Sequence, residues 1–207
     1  VSLSGVKIVD PYNFERLNDY INKLVELRAK KGMTPEEAKK LLLNNPTFFG
    51  AMLVRMGDAD GMVSGSASPT ANVLRAAIQV IGTQPGVKTV SSVFIMELSQ
   101  FKDLFGSILV FGDCSVIPFP TSEQLADIAT SAAETAIKIA GINPRVALMT
   151  FSTKGSAKHE CVDRVIEAGH ILRERKVQFR FDDELQADAA LVKSIGEIKA
   201  PLSDVSG

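Results

Sequence analysis

The alternation of strand-like and helix-like segments in the second half of the chain is the feature that most constrains its fold. Short apolar runs rich in β-branched and aromatic residues predict strands, and longer segments with apolar residues at helical spacing predict helices. The predicted strands are 107–111, 146–151 and 177–181, and the predicted helices are 121–140, 157–174 and 184–195. Because parallel strands need helical crossovers, this order predicts an α/β fold with three layers, α/β/α, around a mixed, largely parallel sheet.

The segment 89–111 departs from that alternation. Two apolar strands, 89–98 and 107–111, follow each other without a helix between them, which indicates an antiparallel pair in the sheet. In the first half, strands are predicted at 6–9 and 61–64.

The other segments of the first half contain sequence motifs that predict helices. Thr34 and Glu37 form a capping box, Asn45-Pro46 starts a further helix, and another helix is predicted at 69–81. Turn residues then concentrate in "GTQPG" at 82–86. We therefore expect two domains, 1–86 and 87–207.

The composition excludes several classes of protein. The chain carries 45% apolar and 23% charged residues and a net charge of −1, so no overall field attracts nucleic acid or a membrane surface. Cys114 and Cys161 give no disulfide framework or metal-ligand spacing, and we expect reduced thiols in the core or near the site. His159 and His170 are too far apart to hold one metal ion.

The sequence has no membrane-spanning run and no signal peptide, so we expect a cytoplasmic protein. Its start at Val1 suggests a piece of a longer polypeptide.

The stretch "DGMVSGSASPTANVLRAAIQ" is the first candidate anion site. Ser64 and Gly65 leave the backbone approachable, Ser68 can cap the following helix, and Pro69 suits its first position. Arg75 would lean back over the loop, where its guanidinium could grip a phosphate. The alternative is a plain turn followed by a surface arginine.

The stretch "FSTKGSAKH" is the second candidate. Ser152, Thr153, Lys154 and Gly155 follow a predicted strand and precede a helix, so hydroxyls, a lysine and a glycine surround a helix start. The pattern is not a P-loop, and binding of a nucleoside triphosphate is unsupported. The alternative is a polar turn.

Carboxylates occur at two further places. The segment 181–191, "FDDELQADAAL", is most simply an acidic helix start favoured by the helix dipole. Asp113 follows the predicted strand 107–111, and we expect it at the edge of the site.

These motifs, with "TVSSVFIM" and "FGDCSVIPFPTSEQLADIA", together resemble phosphate acetyltransferases from about Val6 to the last residue. The resemblance implies a fold similar to isocitrate and isopropylmalate dehydrogenases, with two α/β domains flanking a cleft. It also implies transfer of an acetyl group between acetyl phosphate and coenzyme A (CoA) by direct attack of the CoA thiolate, without a covalent enzyme intermediate. A homodimer is implied, with CoA as a substrate, no other cofactor and no metal.

Residue by residue, the resemblance assigns substrate binding to Arg28 and phosphate or CoA binding to Arg75. It matches 152–156 to a loop that lines the cleft. Departures are Ser68 in place of a frequent histidine, Asn72 in place of an aspartate, and the replacements Ala76 and Ile117. Family members are longer at both ends, so part of the first domain and the completion of the second are expected to be missing. The family's catalytic Ser-Arg motif and base follow the stretch matched by the last residues, so no catalytic residue is assigned here.

Three alternatives remain open at this point. A phosphate butyryltransferase would use the same chemistry with a larger acyl pocket. A non-catalytic acyl-CoA-sensing module would bind CoA without turnover. A dehydrogenase of the related fold would need a set of metal-binding carboxylates, for which 182–188 is the only candidate.

Overall fold

The computed structural model describes residues 2–101 and 107–207. Contacts along the chain divide it into two compact units, Val1–Pro85 and Gly86–Gly207. Both units contain helices, and the strands of the described residues belong to the second unit. The chain is therefore of the α/β class.

The first unit is built from helices. They are α1 (Leu17–Leu27), α2 (Pro35–Asn44), α3 (Pro46–Arg55) and α4 (Thr70–Ala76), which continues as a π-helical turn, Ala77–Ile81, and there are 3₁₀ turns at Pro11–Asn13 and Ala29–Lys31. The Thr34 side chain accepts from the Glu37 N–H while the Glu37 carboxylate accepts from the Thr34 N–H, as the capping box predicted. Asn45 caps α3 by accepting from the N–H groups of Thr47 and Phe48.

The core of the first unit lies where α1, α2 and α3 pack. Leu24, Leu42 and Met52 are fully buried there, beside the ring of Tyr20. The Tyr20 hydroxyl donates a hydrogen bond to Asp58, which also accepts from Arg16. A buried phenol is thus satisfied at the edge of an apolar core.

The strands predicted at 6–9 and 61–64 are wrong, because the structure has no regular secondary structure in either segment. No described residue pairs with them, and Val63 is completely exposed. Apolar, β-branched residues favour extended backbone, but a strand also needs a partner for its N–H and C=O groups.

The second unit combines helices and strands. The strands are β1 (Val93–Glu97), β2 (Ile108–Gly112), β3 (Arg145–Met149) and β4 (Arg180–Leu185), and the helices are α5 (Ser122–Lys138), α6 (Glu160–Glu174), α7 (Ala187–Leu191) and α8 (Lys193–Lys199), with a 3₁₀ turn at Ser99–Phe101. β1 and β2 are antiparallel, as predicted, with Val93 opposite Gly112. β3 and β4 are parallel, with Arg145 opposite Arg180.

Over the described residues these strands form two separate two-stranded sheets instead of the single sheet that was expected. The facing edges of β2 and β3 do not hydrogen-bond to each other. A cavity of about 380 Å³ lies along both strands and over α5. The core of this unit, which includes Ala129, Leu148 and Leu172, lies where α5 and α6 cover the β3–β4 pair.

The end of β4 also differs from the prediction. The strand runs on through the acidic residues to Leu185, and the helix predicted at 184–195 is instead two short helices joined at Val192, whose backbone is extended. The segment 182–185 is therefore not an acidic helix start. Its carboxylates are tolerated in a half-buried strand because each has a partner.

Among residues 2–101 and 107–207, no helix is both long enough and apolar enough to cross a bilayer.

Candidate functional site

The loop that precedes α4 is open to solvent. Ser64 and Gly65 are exposed, and the Ser64 hydroxyl lies 3.2 Å from that of Thr47. Gly65 has a φ of 120°, a conformation that favours glycine. Ser68 does not cap the helix, contrary to expectation. Pro69 occupies the N-cap position, where it provides no capping hydrogen bond.

Arg75 is exposed on α4 and points back toward the start of the helix. Its Nη1 donates to Asn72 Oδ1 over 3.0 Å. Asn72 stands where the resemblance expected an aspartate, so the contact is a hydrogen bond to a neutral amide. The positive charge of Arg75 is consequently not compensated by this neighbour.

Arg28 follows the last residue of α1, and its backbone N–H donates to Leu24 and Val25. The side chain is half-buried, and its Nε is buried without a hydrogen-bond partner among the described residues. A buried N–H without an acceptor costs about 1–3 kcal/mol. Arg28 thus holds an N–H donor group that an anionic acceptor would satisfy.

The loop after β3 is closed on itself. Ser152 and Thr153 are buried, and the Ser152 hydroxyl donates to Glu184 Oε1 (2.8 Å) and accepts from the Ala157 N–H (2.9 Å). Thr153 Oγ1 accepts from the Gln186 N–H over 3.0 Å. These bonds occupy the hydroxyl groups that made the segment a candidate anion site.

The backbone N–H groups of the same loop are also engaged. Thr153 donates to Ser156 Oγ, Lys154 to Glu184 O, Gly155 to Glu184 Oε1 and Ser156 to Thr153 O. Four successive donors therefore have partners within the protein. An anion could use them only by replacing those bonds.

Lys154 is paired with the end of β4. Its Nζ lies 2.6 Å from Asp182 Oδ1 and 2.8 Å from the Asp183 carbonyl oxygen. Burial raises the pKa of Asp182, but hydrogen bonds from Lys154 and Ser203 and the Lys154 charge bring that pKa below its ordinary value. The ammonium group predicted to face a ligand is thus held by a carboxylate.

Asp113 closes a different turn. Its carboxylate accepts from the Ser92 hydroxyl and from the N–H groups of Ser92, Ser115 and Ile117. Burial raises the pKa of Asp113, but these hydrogen bonds outweigh that effect and bring the pKa below its ordinary value. Asp113 is bonded as a structural anion that ties the end of β2 to the start of β1.

Other chemically active side chains have simpler roles. Cys114 and Cys161 are free and exposed, so neither lies in the core, and a position near the site stays a prediction. His159 caps α6 by accepting at Nδ1 from the Cys161 N–H, and its ring packs edge-on against Phe151. No cluster of metal-binding side chains occurs in the described part of the chain.

The predicted site residues fall into two groups. Arg28, Arg75 and the Ser64–Gly65 turn belong to the first unit, and the 152–155 loop belongs to the second. Sequence reasoning missed Glu184, which contacts three residues of that loop. The available signal was an acidic run inside a segment of strand-forming residues.

Comparison with known proteins agrees with this α/β class. All 207 residues match the family described as phosphate acetyl/butaryl transferase. A phosphate acetyltransferase from Thermoanaerobacterium thermosaccharolyticum is 45% identical over the whole chain, which spans 63% of that relative.

Solved structures give the same result. EutD phosphotransacetylase from Staphylococcus aureus aligns with all of this chain at a TM-score of 0.82 and 38% identity, and the chain covers 61% of it. A phosphotransacetylase from Streptococcus pyogenes aligns with 95% of the chain at a TM-score of 0.84 and 43% identity, with 58% of that protein covered. The chain belongs to the phosphate acetyl/butaryl transferase family, and it spans about 60% of the length of these relatives.

Proposed function

We propose that the protein transfers an acetyl group between acetyl phosphate and CoA. The observation that carries the proposal is the match of all 207 residues to a family whose description names this chemistry. The CoA thiolate attacks the acyl carbonyl directly, the bond to the phosphate oxygen breaks, and inorganic phosphate leaves. Acetyl-CoA and phosphate are the products, and no acyl-enzyme is formed.

The two arginines are proposed to bind the anionic substrates. Arg28 has a buried Nε that lacks an acceptor, and Arg75 carries a charge that its Asn72 contact does not neutralise. A guanidinium can bind a phosphate through two parallel hydrogen bonds. Charge accumulates on the phosphate as it departs, so a donor of this kind contributes about 2–4 kcal/mol to lowering the barrier.

One loop in each unit is proposed to contribute to substrate binding. Ser64 and Gly65 present an exposed turn on which a substrate can rest close to the backbone. Ser152, Thr153, Lys154 and Gly155 form a prearranged surface, because their donors are already bonded within the protein. Holding two reactants against fixed surfaces supplies much of the rate enhancement in a two-substrate reaction.

The chemistry needs no cofactor, and CoA enters as a substrate. An acyl phosphate is already activated by its stable leaving group, so charge stabilisation and deprotonation of the thiol suffice. No residue of this chain is assigned as the base.

We further propose a cytoplasmic homodimer that binds neither nucleic acid nor membranes, and a complete fold similar to the isocitrate and isopropylmalate dehydrogenases. The parallel β3–β4 pair, covered by helices, supports that fold.

Acetyl-CoA formation from acetyl phosphate and CoA tests the proposal in the protein as its source organism makes it. We expect turnover with acetyl phosphate and weaker turnover with butyryl phosphate. A preference for butyryl phosphate would show that the protein transfers a butyryl group rather than an acetyl group. CoA binding measured by calorimetry without any turnover would identify a sensor and refute the enzyme.

The arginine assignment has its own test. Arg75→Ala should lower kcat/KM by about 30- to 1000-fold, the equivalent of the barrier contribution given above, without changing the unfolding midpoint. Arg164→Ala is the matched control, because Arg164 is also a helix-surface arginine, bonded to Glu160 one turn away. Full activity of Arg75→Ala would refute the assignment.

A further inference from the structure

Glu184 is buried near the end of β4, in an unusual backbone conformation. Only 6% of its surface is exposed, and its φ is +53°, in the left-handed region that non-glycine residues seldom adopt. Burying a carboxylate is unfavourable unless hydrogen bonds replace its hydration. A strained, buried, ionisable residue persists only where the surrounding structure enforces it, and such residues cluster at functional sites.

The contacts of Glu184 are directed at one loop. Oε1 accepts the Gly155 N–H over 2.6 Å and the Ser152 hydroxyl over 2.8 Å. Its carbonyl oxygen accepts the Lys154 N–H over 3.2 Å. One residue of β4 therefore binds three residues of the loop that leaves β3.

The arrangement fixes the turn from both sides. Ser152, held by Glu184, also accepts the Ala157 N–H through its hydroxyl, so the turn is closed at its base. Lys154 has a φ of +47° and Gly155 a φ of +88°, which are two successive left-handed residues. Without the Glu184 acceptor the Gly155 N–H would lose its hydrogen bond within the protein, and the turn would lose a contact that holds this shape.

The loop borders a place where ligands collect in folds of this class. Thr150 and Phe151, which lead into it, line an open depression with Gln186, Ala187 and Asp188 at the carboxyl ends of β3 and β4. In α/β proteins, ligands bind beyond the carboxyl ends of parallel strands. The 152–157 loop adjoins this depression, because it follows Phe151 directly and its Thr153 is hydrogen-bonded to Gln186.

We propose that Glu184 is a positioning residue, whose buried carboxylate holds the 152–157 loop in the conformation that binds substrate. The proposal rests on the proposed acetyl transfer and deepens it. Glu184 does not touch the reacting atoms, and it acts through Ser152 and Gly155. Glu184 thus serves the site by ordering the loop beside it.

The test compares Glu184→Ala with a matched carboxylate of the same unit. Asp127 accepts hydrogen bonds from Thr89 and Arg175 and does not contact the loop, so Asp127→Asn controls for lost stability alone. Glu184→Ala should lower kcat/KM roughly 10- to 100-fold, as expected for displaced substrate-binding groups, whereas Asp127→Asn should retain it within about twofold. Glu184→Gln keeps an acceptor oxygen and should recover most of the activity.

Amide hydrogen exchange supplies a readout independent of turnover. In Glu184→Ala the Gly155 and Ala157 amides should exchange at least tenfold faster, and in Asp127→Asn they should not change. If Glu184→Ala fails to fold, Ser152→Ala loosens the same turn and should show the same pattern more weakly. Normal kinetics in a variant with faster Gly155 exchange would overturn the positioning role, and so would unchanged exchange.

Failure of the proposed function is visible separately, in the parent protein. If the parent transfers no acetyl group but binds CoA, the effect of Glu184→Ala is measured as a change in CoA affinity instead of kcat/KM. If it neither transfers the group nor binds CoA, both proposals fail. An active parent with an unimpaired Glu184→Ala variant overturns the positioning role alone.

Discussion

Two loops of this protein are nearly alike in composition and opposite in structure. The loop at 64–68 reads "SGSAS" and that at 152–156 reads "STKGS". In the first, Ser64 and Gly65 are exposed, and the side-chain hydrogen bond recorded there joins Ser64 to Thr47. In the second, Ser152 and Thr153 are buried and the backbone donors are paired with β4 or with the loop itself.

The difference lies in the neighbours of each loop. The 64–68 loop follows a segment that pairs with no described strand, so its polar groups face water. The 152–156 loop leaves β3 beside β4, where Asp182 and Glu184 offer acceptors at close range, and Gln186, which follows the strand, offers another. Small hydroxylated residues therefore predict a turn, and an adjacent acidic strand decides whether that turn is open or closed.

Gly169→Ala should have the largest effect of the substitutions that probe the closed loop. A Cβ on this α6 residue would lie 1.9 Å from Asp183 Oδ2, and Asp183 pairs with Arg173. Displacing Asp183 disturbs β4 directly, so we expect a loss of about 2–4 kcal/mol in the free energy of unfolding. Urea unfolding measures it.

The matched change in the open loop is Gly65→Ala. The nearest atom to an added Cβ is 3.9 Å away, so the cost there comes from φ alone and should be about 1–2 kcal/mol. Equal losses for the two glycines would contradict the contrast between the loops.

Ser152→Ala and Ser64→Ala compare the two hydroxyl groups. Removing the buried Ser152 hydroxyl leaves the Ala157 N–H without its acceptor, which should cost about 1–3 kcal/mol. Removing the exposed Ser64 hydroxyl should change stability by less than about 0.5 kcal/mol. Urea unfolding of the two variants measures both losses in the free energy of unfolding. A larger loss for Ser64→Ala than for Ser152→Ala would contradict the contrast between the loops.

Acid should weaken the second unit through the carboxylates around β4. The pKa of Asp182 lies below its ordinary value, because the bonds from Lys154 and Ser203 outweigh the opposing effect of burial. A lowered pKa stabilises the fold above the unfolded-state value, near 4, and the benefit is lost as the pH falls through the folded value. Unfolding followed from pH 7 to pH 2 should show this loss, with a shallower slope in Asp182→Asn.

Lys154→Ala should have only a small effect on stability. The ammonium group is more than a third exposed and already paired with Asp182, so the loss of stability should stay below about 1 kcal/mol. CoA affinity should fall slightly, and more at low salt than at high salt, because exposed charges are screened. Calorimetry at two salt concentrations, with exposed Lys158→Ala as the control, tests this, and a salt-independent loss would exclude a charge effect.

Local signals in the sequence predicted local structure well. The capping box at Thr34 starts α2 as expected, and Thr121 and Gln124 form the same motif at the start of α5. Gly32 and Gly141 have the left-handed φ values typical of helix ends. Each of these features depends on residues within one turn of helix. The antiparallel β1–β2 pair was also predictable, because a short connection leaves few alternatives.

Features that depend on distant partners could not be predicted. The Ser152–Glu184 bond joins residues 32 positions apart, and it exists because β3 and β4 pair in one particular register. The segment 61–64 has a strand-like sequence and lacks a described partner, whereas 182–185 has an acidic sequence and forms a strand because its charges are paired. For the site, Arg28 was assigned through the family resemblance, and Arg75 through its motif and that resemblance. The hydrogen bonds between the 152–155 loop and Glu184 became visible only in the structure.

Residue-resolved amide hydrogen exchange of the unmodified protein tests the central contrast most directly. We predict slow exchange at Gly155 and Ala157, whose N–H groups are bonded to Glu184 and Ser152, and fast exchange at Ser66 and Ala67 in the exposed loop. Fast exchange at Gly155, or protection at Ser66 equal to it, would contradict the account of one closed loop and one open loop.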